Sequence, residues 1–177
     1  EIFSDTQAQV MPWSDSHPPS QEQVDAIPST STSSSDSFCL VYTSASTGKP
    51  KGVVIMESAI RNRLEWMWEE YPFSNDEVMI LQKSLSLVAS TWECLGGLLQ
   101  GIPTVIADHE SVIDPISFSG LCSTHRVSRI YGSPSPFSGV IAQKEKDPAL
   151  FQSLKLAFTS AEPITPEQVG DWNSLFD

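Results

Sequence analysis

Apolar residues are scattered before residue 38 and recur in short blocks after it. Phe38-Cys39-Leu40-Val41-Tyr42 is a continuous apolar block behind a serine run, which predicts a strand. Gly52-Val53-Val54-Ile55 predicts a second. Between Glu57 and Glu70 the apolar side chains Ile60, Leu64, Met67 and Trp68 share roughly one face at helical spacing. Pro72, which has no amide proton to give, closes that helix. Further strands are predicted at 77–82, 104–107, 127–131 and 154–159. Helices are predicted at 91–99, 115–124 and 136–143, and another starts at Pro166, where proline suits a first turn. The Gly96-Gly97 pair lets a neighbour approach the 91–99 helix, and Gly101-Ile102-Pro103 turns the chain into the next strand. Strand–helix alternation with short connections predicts an α/β fold, a mainly parallel sheet flanked by helices. Thr104-Val105-Ile106-Ala107 is apolar without alternation, as expected of a strand buried on both faces.

Residues 1–37 read differently. Pro12, Pro18, Pro19 and Pro28 interrupt any helix, and Ser29 to Ser37 is almost wholly serine and threonine. Such a composition buries too little apolar area to offset chain entropy, so 1–37 is expected to be a linker or an extended segment. A short ordered patch is expected around Val10-Met11-Pro12-Trp13. The start, Glu1-Ile2-Phe3-Ser4, has neither an initiator methionine nor a signal-peptide pattern, so the chain is expected to be a piece of a longer polypeptide.

Net charge is −12, which leaves no basic surface for a nucleic-acid backbone but does not oppose a local nucleotide cradle. No apolar run reaches the roughly 18 residues of a membrane span. Cys39, Cys94 and Cys122 are odd in number and far apart, which fits a reducing compartment, and with the acidic balance the cytoplasm is expected. Neither they nor His17, His109 and His125 have metal-site spacing, so no metal ligands are assigned.

The densest chemistry is Tyr42-Thr43-Ser44-Ala45-Ser46-Thr47-Gly48-Lys49-Pro50-Lys51-Gly52. It follows a strand, and its small residues permit a tight bend whose backbone N–H groups cradle anionic oxygens. Thr43, Ser44, Ser46 and Thr47 add hydroxyl donors, and Gly48 adds backbone freedom. Lys51 is the stronger cation for a phosphate because Pro50 restricts the backbone before it; Lys49 is expected in solvent. The order differs from the common NTPase loop, which sets Gly-Lys-Ser/Thr at a helix start, whereas here Gly48-Lys49 is followed by Pro50.

On these residues the chain resembles the adenylate-forming (AMP-dependent synthetase and ligase, ANL-type) superfamily. The family loop reads Tyr-Thr-Ser-Gly-Ser/Thr-Thr-Gly-x-Pro-Lys-Gly, and this chain departs from it at Ala45, where glycine is usual. Arg61-Asn62-Arg63-Leu64-Glu65-Trp66-Met67 is similar to the Asn-Arg-x-x-Trp-Met helix of peptide-synthetase adenylation domains. Further blocks resemble theirs at Leu81 to Leu87, Ser90-Thr91-Trp92-Glu93, Leu98 to Gly101, Asp114-Pro115 and His125 to Ser128. Leu154 to Ile164 resembles a strand and turn usually written with Gly-Gly-Glu. The likeness covers about 38–177 and implies part of the large N-terminal domain.

The resemblance implies that the parent enzyme joins a carboxylic acid to the α-phosphate of ATP, with Mg²⁺ offsetting phosphate charge, and passes the acyl group to a phosphopantetheine or CoA thiol. It makes Lys51 and Thr43 the catalytic candidates and assigns phosphate holding to Thr43, Ser44, Ser46, Thr47, Gly48 and Lys51. It puts the substrate pocket at Val88, Ala89 and Trp92. Amino-acid activators carry an aspartate in that block; here Ala89 or Val88 stands in its place and the block is one residue shorter. That turns the expectation towards a β- or ω-amino acid or a plain carboxylic acid. Partners implied are the acid, a carrier-protein phosphopantetheine arm or CoA, and the rest of the same polypeptide, with no nucleic acid or membrane. The family's adenine pocket and C-terminal lid fall after residue 177, so the chain alone is expected to bind nucleotide weakly and not to complete adenylation. The alternative is an inactive structural or interaction fragment with a degenerate loop. Trp92 reads as core or pocket wall, Trp66, Met67 and Trp68 as packing, Glu93 as a capping or pairing group, and Glu162 as a turn-orienting or solvated carboxylate.

Overall fold

The computed structural model describes residues 33–43 and 48–176. The expected linker up to residue 32, with its ordered patch around Val10-Met11-Pro12-Trp13, the loop residues Ser44 to Thr47, and Asp177 lie outside them. Strands β1 (Ser37–Thr43) and β2 (Lys51–Met56) pair antiparallel, with Tyr42 opposite Gly52 and Thr43 opposite Lys51. The phosphate-loop sequence is therefore the connection of a hairpin. This hairpin forms its own two-stranded sheet, distinct from the parallel one.

Helix α1 (Glu57–Glu70) has the predicted limits. It buries Ile60, Leu64 and Met67, and Trp68 donates from its indole nitrogen to the Gly96 carbonyl at 2.8 Å. The Tyr71 amide donates to the Met67 carbonyl and Pro72 follows, so the last turn is closed before the chain turns away.

Four short strands form the parallel sheet: β3 (Met79–Leu81), β4 (Thr104–Ile106), β5 (Arg129–Gly132) and β6 (Leu156–Thr159), in the order β4-β3-β5-β6. Consecutive strand residues face opposite ways. Met79 joins a core with Ile60, Leu64, Met67, Trp92 and Ile102; Ile80 joins another with Phe118, Val127, Ile130, Phe137 and Val140. The sheet is thus covered on both faces, as expected of βαβ structure. Strand β4 departs from expectation: it is an edge strand, and Ile106 is 77% exposed rather than buried.

The remaining helices are α2 (His109–Ile113), α3 (Pro115–Thr124), α4 (Pro134–Lys146) and α5 (Pro166–Phe176). Helix α2 is short and was not anticipated. Asp108 and Asp114 cap α2 and α3, accepting from the Ser111 amide at 2.8 Å and the Ser117 amide at 2.9 Å. In the predicted 91–99 helix, Trp92–Gly96 is instead a π-helical turn. Gly96 is required there, because a Cβ would come within 2.5 Å of the Trp92 ring.

A buried ion pair ties the chain after α1 to the start of β5. Arg129 and Glu77 are 2% and 3% exposed, and the Arg129 Nε lies against Glu77 Oε2. Its Nη2 donates to Glu77 Oε1 at 2.8 Å, and its Nη1 and Nη2 donate to the Tyr71 and Pro72 carbonyls at 2.6 Å each. The guanidinium also stacks 3.9 Å from the Phe73 ring centroid. Burial alone would raise the Glu77 carboxyl. The Arg129 guanidinium, with the Ser74 amide and hydroxyl, outweighs it and holds the group at about 2.

Candidate functional site

The hairpin register brings Thr43 and Lys51 together across the strand ends. The Thr43 hydroxyl reaches the Lys51 carbonyl at 3.5 Å, and both residues are exposed. Gly48 has φ +90°, left-handed backbone that a side chain rarely adopts, which is why glycine stands in the turn. Ser44, Ser46 and Thr47, with Ala45, fall outside the described residues. Lys51 has no carboxylate within ion-pair reach among the described residues, so its ammonium is available to an anion. A hydroxyl, a glycine turn and a free ammonium form a donor set that fits phosphate oxygens. Among the described residues no three His, Cys, Asp or Glu side chains converge, so the Mg²⁺ that the family implies would depend on phosphate oxygens here.

The predicted pocket residues separate. Val88 is exposed and Ala89 half-buried, on the turn stretch in which the Leu87 amide donates to Ser84, Ser90 to Leu87 and Thr91 to Val88. Trp92 is core: it is 2% exposed, stacks on Phe73 at 6.0 Å and meets Phe158 edge-on at 6.5 Å. Next to it Glu93 is fully buried. Its Oε2 accepts the Gln82 and Lys83 amides at 2.9 and 2.8 Å, fastening the carboxyl end of β3 to the π-turn. Burial drives the Glu93 carboxyl above the ordinary range, against the pull of those amides and of Lys83.

Three groups that the sequence did not single out stand at the strand ends. The Lys83 ammonium lies 4.8 Å from the Tyr131 ring centroid, the Tyr131 and Ser160 hydroxyls share a hydrogen bond of 2.7 Å, and Tyr131 meets Phe158 edge-on. Strand alternation could have found them, since Tyr131 follows the inward Ile130 by one residue and so faces the Trp92 side. Glu162 accepts from the Ser135 hydroxyl at 2.8 Å and its amide at 3.3 Å, so it holds the first turn of α4. Between Ser160 and Glu162, Ala161 has φ +73° in a turn where the family pattern has glycine. Cys122 is a buried thiol pushed up to about 12 by its burial, an inert group. No helix among the described residues is long and apolar enough to cross a membrane.

A family model described as "AMP-binding enzyme" matches residues 2–177. The chain is 35% identical over 137 residues to vanchrobactin synthetase VabF of Vibrio anguillarum, covering 75% of this chain and 5% of that protein. It is 30% identical over 138 residues to enterobactin synthase component F of Escherichia coli (strain K12), covering 77% of this chain and 11% of that protein. The chain thus spans a small fraction of these relatives. Among solved structures, the nonribosomal peptide synthetase FmoA3 superposes with TM-score 0.75 at 20% identity, over 85% of this chain and 16% of that one. The complex of VinN with L-aspartate superposes with TM-score 0.73 at 21% identity, over 85% of this chain and 37% of that one. Family match, curated relatives and fold agree: the chain belongs to the AMP-binding enzyme family, with the architecture of its adenylation domains.

Proposed function

We propose that this chain is the phosphate-loop portion of a domain that activates a carboxylic acid with ATP and passes it to a phosphopantetheine or CoA thiol. In that reaction a carboxylate oxygen bonds to the α-phosphorus and pyrophosphate leaves; the thiol then displaces AMP. The observation that carries the reading is the hairpin, which sets Thr43 opposite Lys51 on either side of the loop, with no carboxylate in ion-pair reach of Lys51 among the described residues. Lys51 and Thr43 would hold the departing phosphates, with Ser44, Ser46, Thr47 and Gly48 completing the cradle. Catalysis of this kind is positioning and charge stabilisation, which a phosphate cradle would supply. Residues 38–177 are the proposed domain portion and 1–37 the segment leading into it.

For the acid, VinN was solved with L-aspartate, AlmE of Vibrio cholerae with glycyl-adenosine-5′-phosphate, and McyG with phenylalanyl-adenylate. This chain offers Val88 and Ala89 where amino-acid activators hold an aspartate, so an α-ammonium has no partner there. The proposed substrate is a β- or ω-amino acid or a plain carboxylic acid. An inactive fragment is the second reading, favoured by alanine at two glycine positions of the family pattern, Ala45 and Ala161.

Carboxylate-dependent ATP–pyrophosphate exchange by the polypeptide that carries this chain tests both. Exchange with one acid, cut at least tenfold by Lys51→Ala, is expected. No exchange from a folded protein across β-alanine, α-amino acids and simple acids would establish the inactive reading.

A further inference from the structure

A groove of about 270 Å³ lies where β1, α1 and the π-turn stretch meet, near the lower end of the size range of small-molecule sites. Its walls are apolar: Phe38 comes from β1, Leu64 and Trp68 from α1, Leu95 from the π-turn and Leu99 from the residues after it. Trp68 spends its one N–H on the Gly96 carbonyl, so it offers the groove a ring and no donor. The groove shares no residue with the hairpin turn at Thr43, Gly48 and Lys51 or with Val88, Ala89 and Trp92.

Three charged residues of α1 also line it, Glu57, Arg61 and Glu65, spaced four apart and so one above another on the helix. Two carboxylates and one guanidinium leave one unbalanced negative charge. Arg61 places both Nε and Nη2 on a single oxygen of Glu57, Oε1, at 2.8 and 2.5 Å. The other oxygen, Oε2, is enclosed and has no hydrogen-bond partner. Glu65 makes no ion pair among the described residues. Enclosed carboxylate oxygens are ordinarily paired, so this groove lacks a donor and a positive charge. We propose that it binds a primary ammonium on a short apolar body, the N–H groups on Glu57 and the body among Phe38, Leu64, Trp68 and Leu99. A primary ammonium supplies both missing elements; a quaternary ammonium brings charge without a donor, and an alcohol a donor without charge. A carboxylate on the same ligand would meet Glu57 and Glu65, so an amino acid is a poorer fit than the corresponding amine. The cavity of about 150 Å³ bordered by Phe137 and Trp172 has no charged lining and does not compete for such a head. The proposal is independent of whether the chain activates an acid.

The test is a titration of the isotope-labelled 177-residue chain with phenethylammonium, phenethyl alcohol, phenethyltrimethylammonium and phenylalanine, followed by amide chemical shifts. Phenethylammonium is expected to move Glu57, Arg61, Leu95 and Leu99 and to bind about tenfold more tightly than the alcohol. The trimethylated cation and phenylalanine are expected to bind more weakly than phenethylammonium. Glu57→Gln keeps the shape and gives up an i,i+4 pair with an exposed Arg61, which contributes little to folding; it should erase the advantage of the ammonium over the alcohol. Leu99→Trp, on a groove residue 59% exposed, should weaken both ligands. Equal binding of ammonium and alcohol, binding of the trimethylated cation or of phenylalanine as tight as that of the amine, shifts centred on Trp172 and Asn173, or no binding of any probe would overturn it. The comparison of ammonium with alcohol needs no variant, so it decides even where a substitution disturbs the fold.

Discussion

Replacing Arg129 with methionine should cost the folded chain several kcal/mol at neutral pH and much less in acid. The substitution keeps an unbranched apolar stem but takes the guanidinium from Glu77, which keeps its Ser74 donors, and from the Tyr71 and Pro72 carbonyls. Breaking a buried ion pair from one side costs about 3–5 kcal/mol. A second route gives a similar size. Glu77 is held at about 2 against an ordinary 4.5, and at about 1.4 kcal/mol per pH unit that is worth roughly 3 kcal/mol. The sign follows from the depressed value: this stability is present above pH 4.5 and is lost as pH falls towards 2. Without Arg129 the chief group holding the Glu77 carboxyl down is gone, so the variant lacks most of this pH-dependent stability and is relatively less penalised in acid. Urea unfolding of both chains, read by tryptophan fluorescence, should show a gap of about 3 kcal/mol at pH 7 that at least halves by pH 3. A penalty below 1 kcal/mol, or one equal at both pH values, would refute the assignment of this pair as a lock.

Three further outcomes are expected. Ala161→Gly should raise stability by about 0.5–1 kcal/mol in thermal unfolding, because relief at φ +73° exceeds the added chain entropy. Gly96→Ala should lower it by about 1–3 kcal/mol and shift tryptophan emission, since the new methyl meets the Trp92 ring. Thr43, Gly48 and Lys51 are exposed, so calorimetric titration of the chain with MgATP should give binding weaker than micromolar; a sub-micromolar constant would contradict this.

Helices with a single apolar stripe were legible in the sequence. Ile60, Leu64 and Met67 announce α1, and Pro72 marks its end. The strands came out shorter than their apolar runs, for reasons of tertiary contact. Glu77 is drawn to Arg129, 52 residues away, and the Gln82 and Lys83 amides go to Glu93 rather than to a neighbouring strand. The consecutive apolar residues of β4 misled because periodicity reports which residues a strand contains and not whether it lies at an edge. The π-turn was hidden for a related reason: the pattern of Trp92 to Gly96 suits a helix, and what widens it is the ring occupying the space at Gly96. At the site, the loop composition indicated an anion cradle, but the facing of Thr43 and Lys51 needed the hairpin register. Lys83 follows β3 and Tyr131 lies in β5, and only the fold brings them together.

The separation of the hairpin from the parallel sheet has a kinetic consequence. Ladder hydrogen bonds join β1 to β2, and none joins either to the four-stranded sheet. Strand β1 is largely exposed, whereas Ile80 and Ile130 are almost fully enclosed. Local opening free energies follow such differences in enclosure. The hairpin is therefore expected to open at lower free energy than the parallel sheet. Backbone amides of β1 and β2 should exchange with solvent well ahead of those in β3 and β5. An anion gripped between Thr43 and Lys51 would act first as a clasp on this hairpin, slowing its exchange while leaving that of the central strands unchanged.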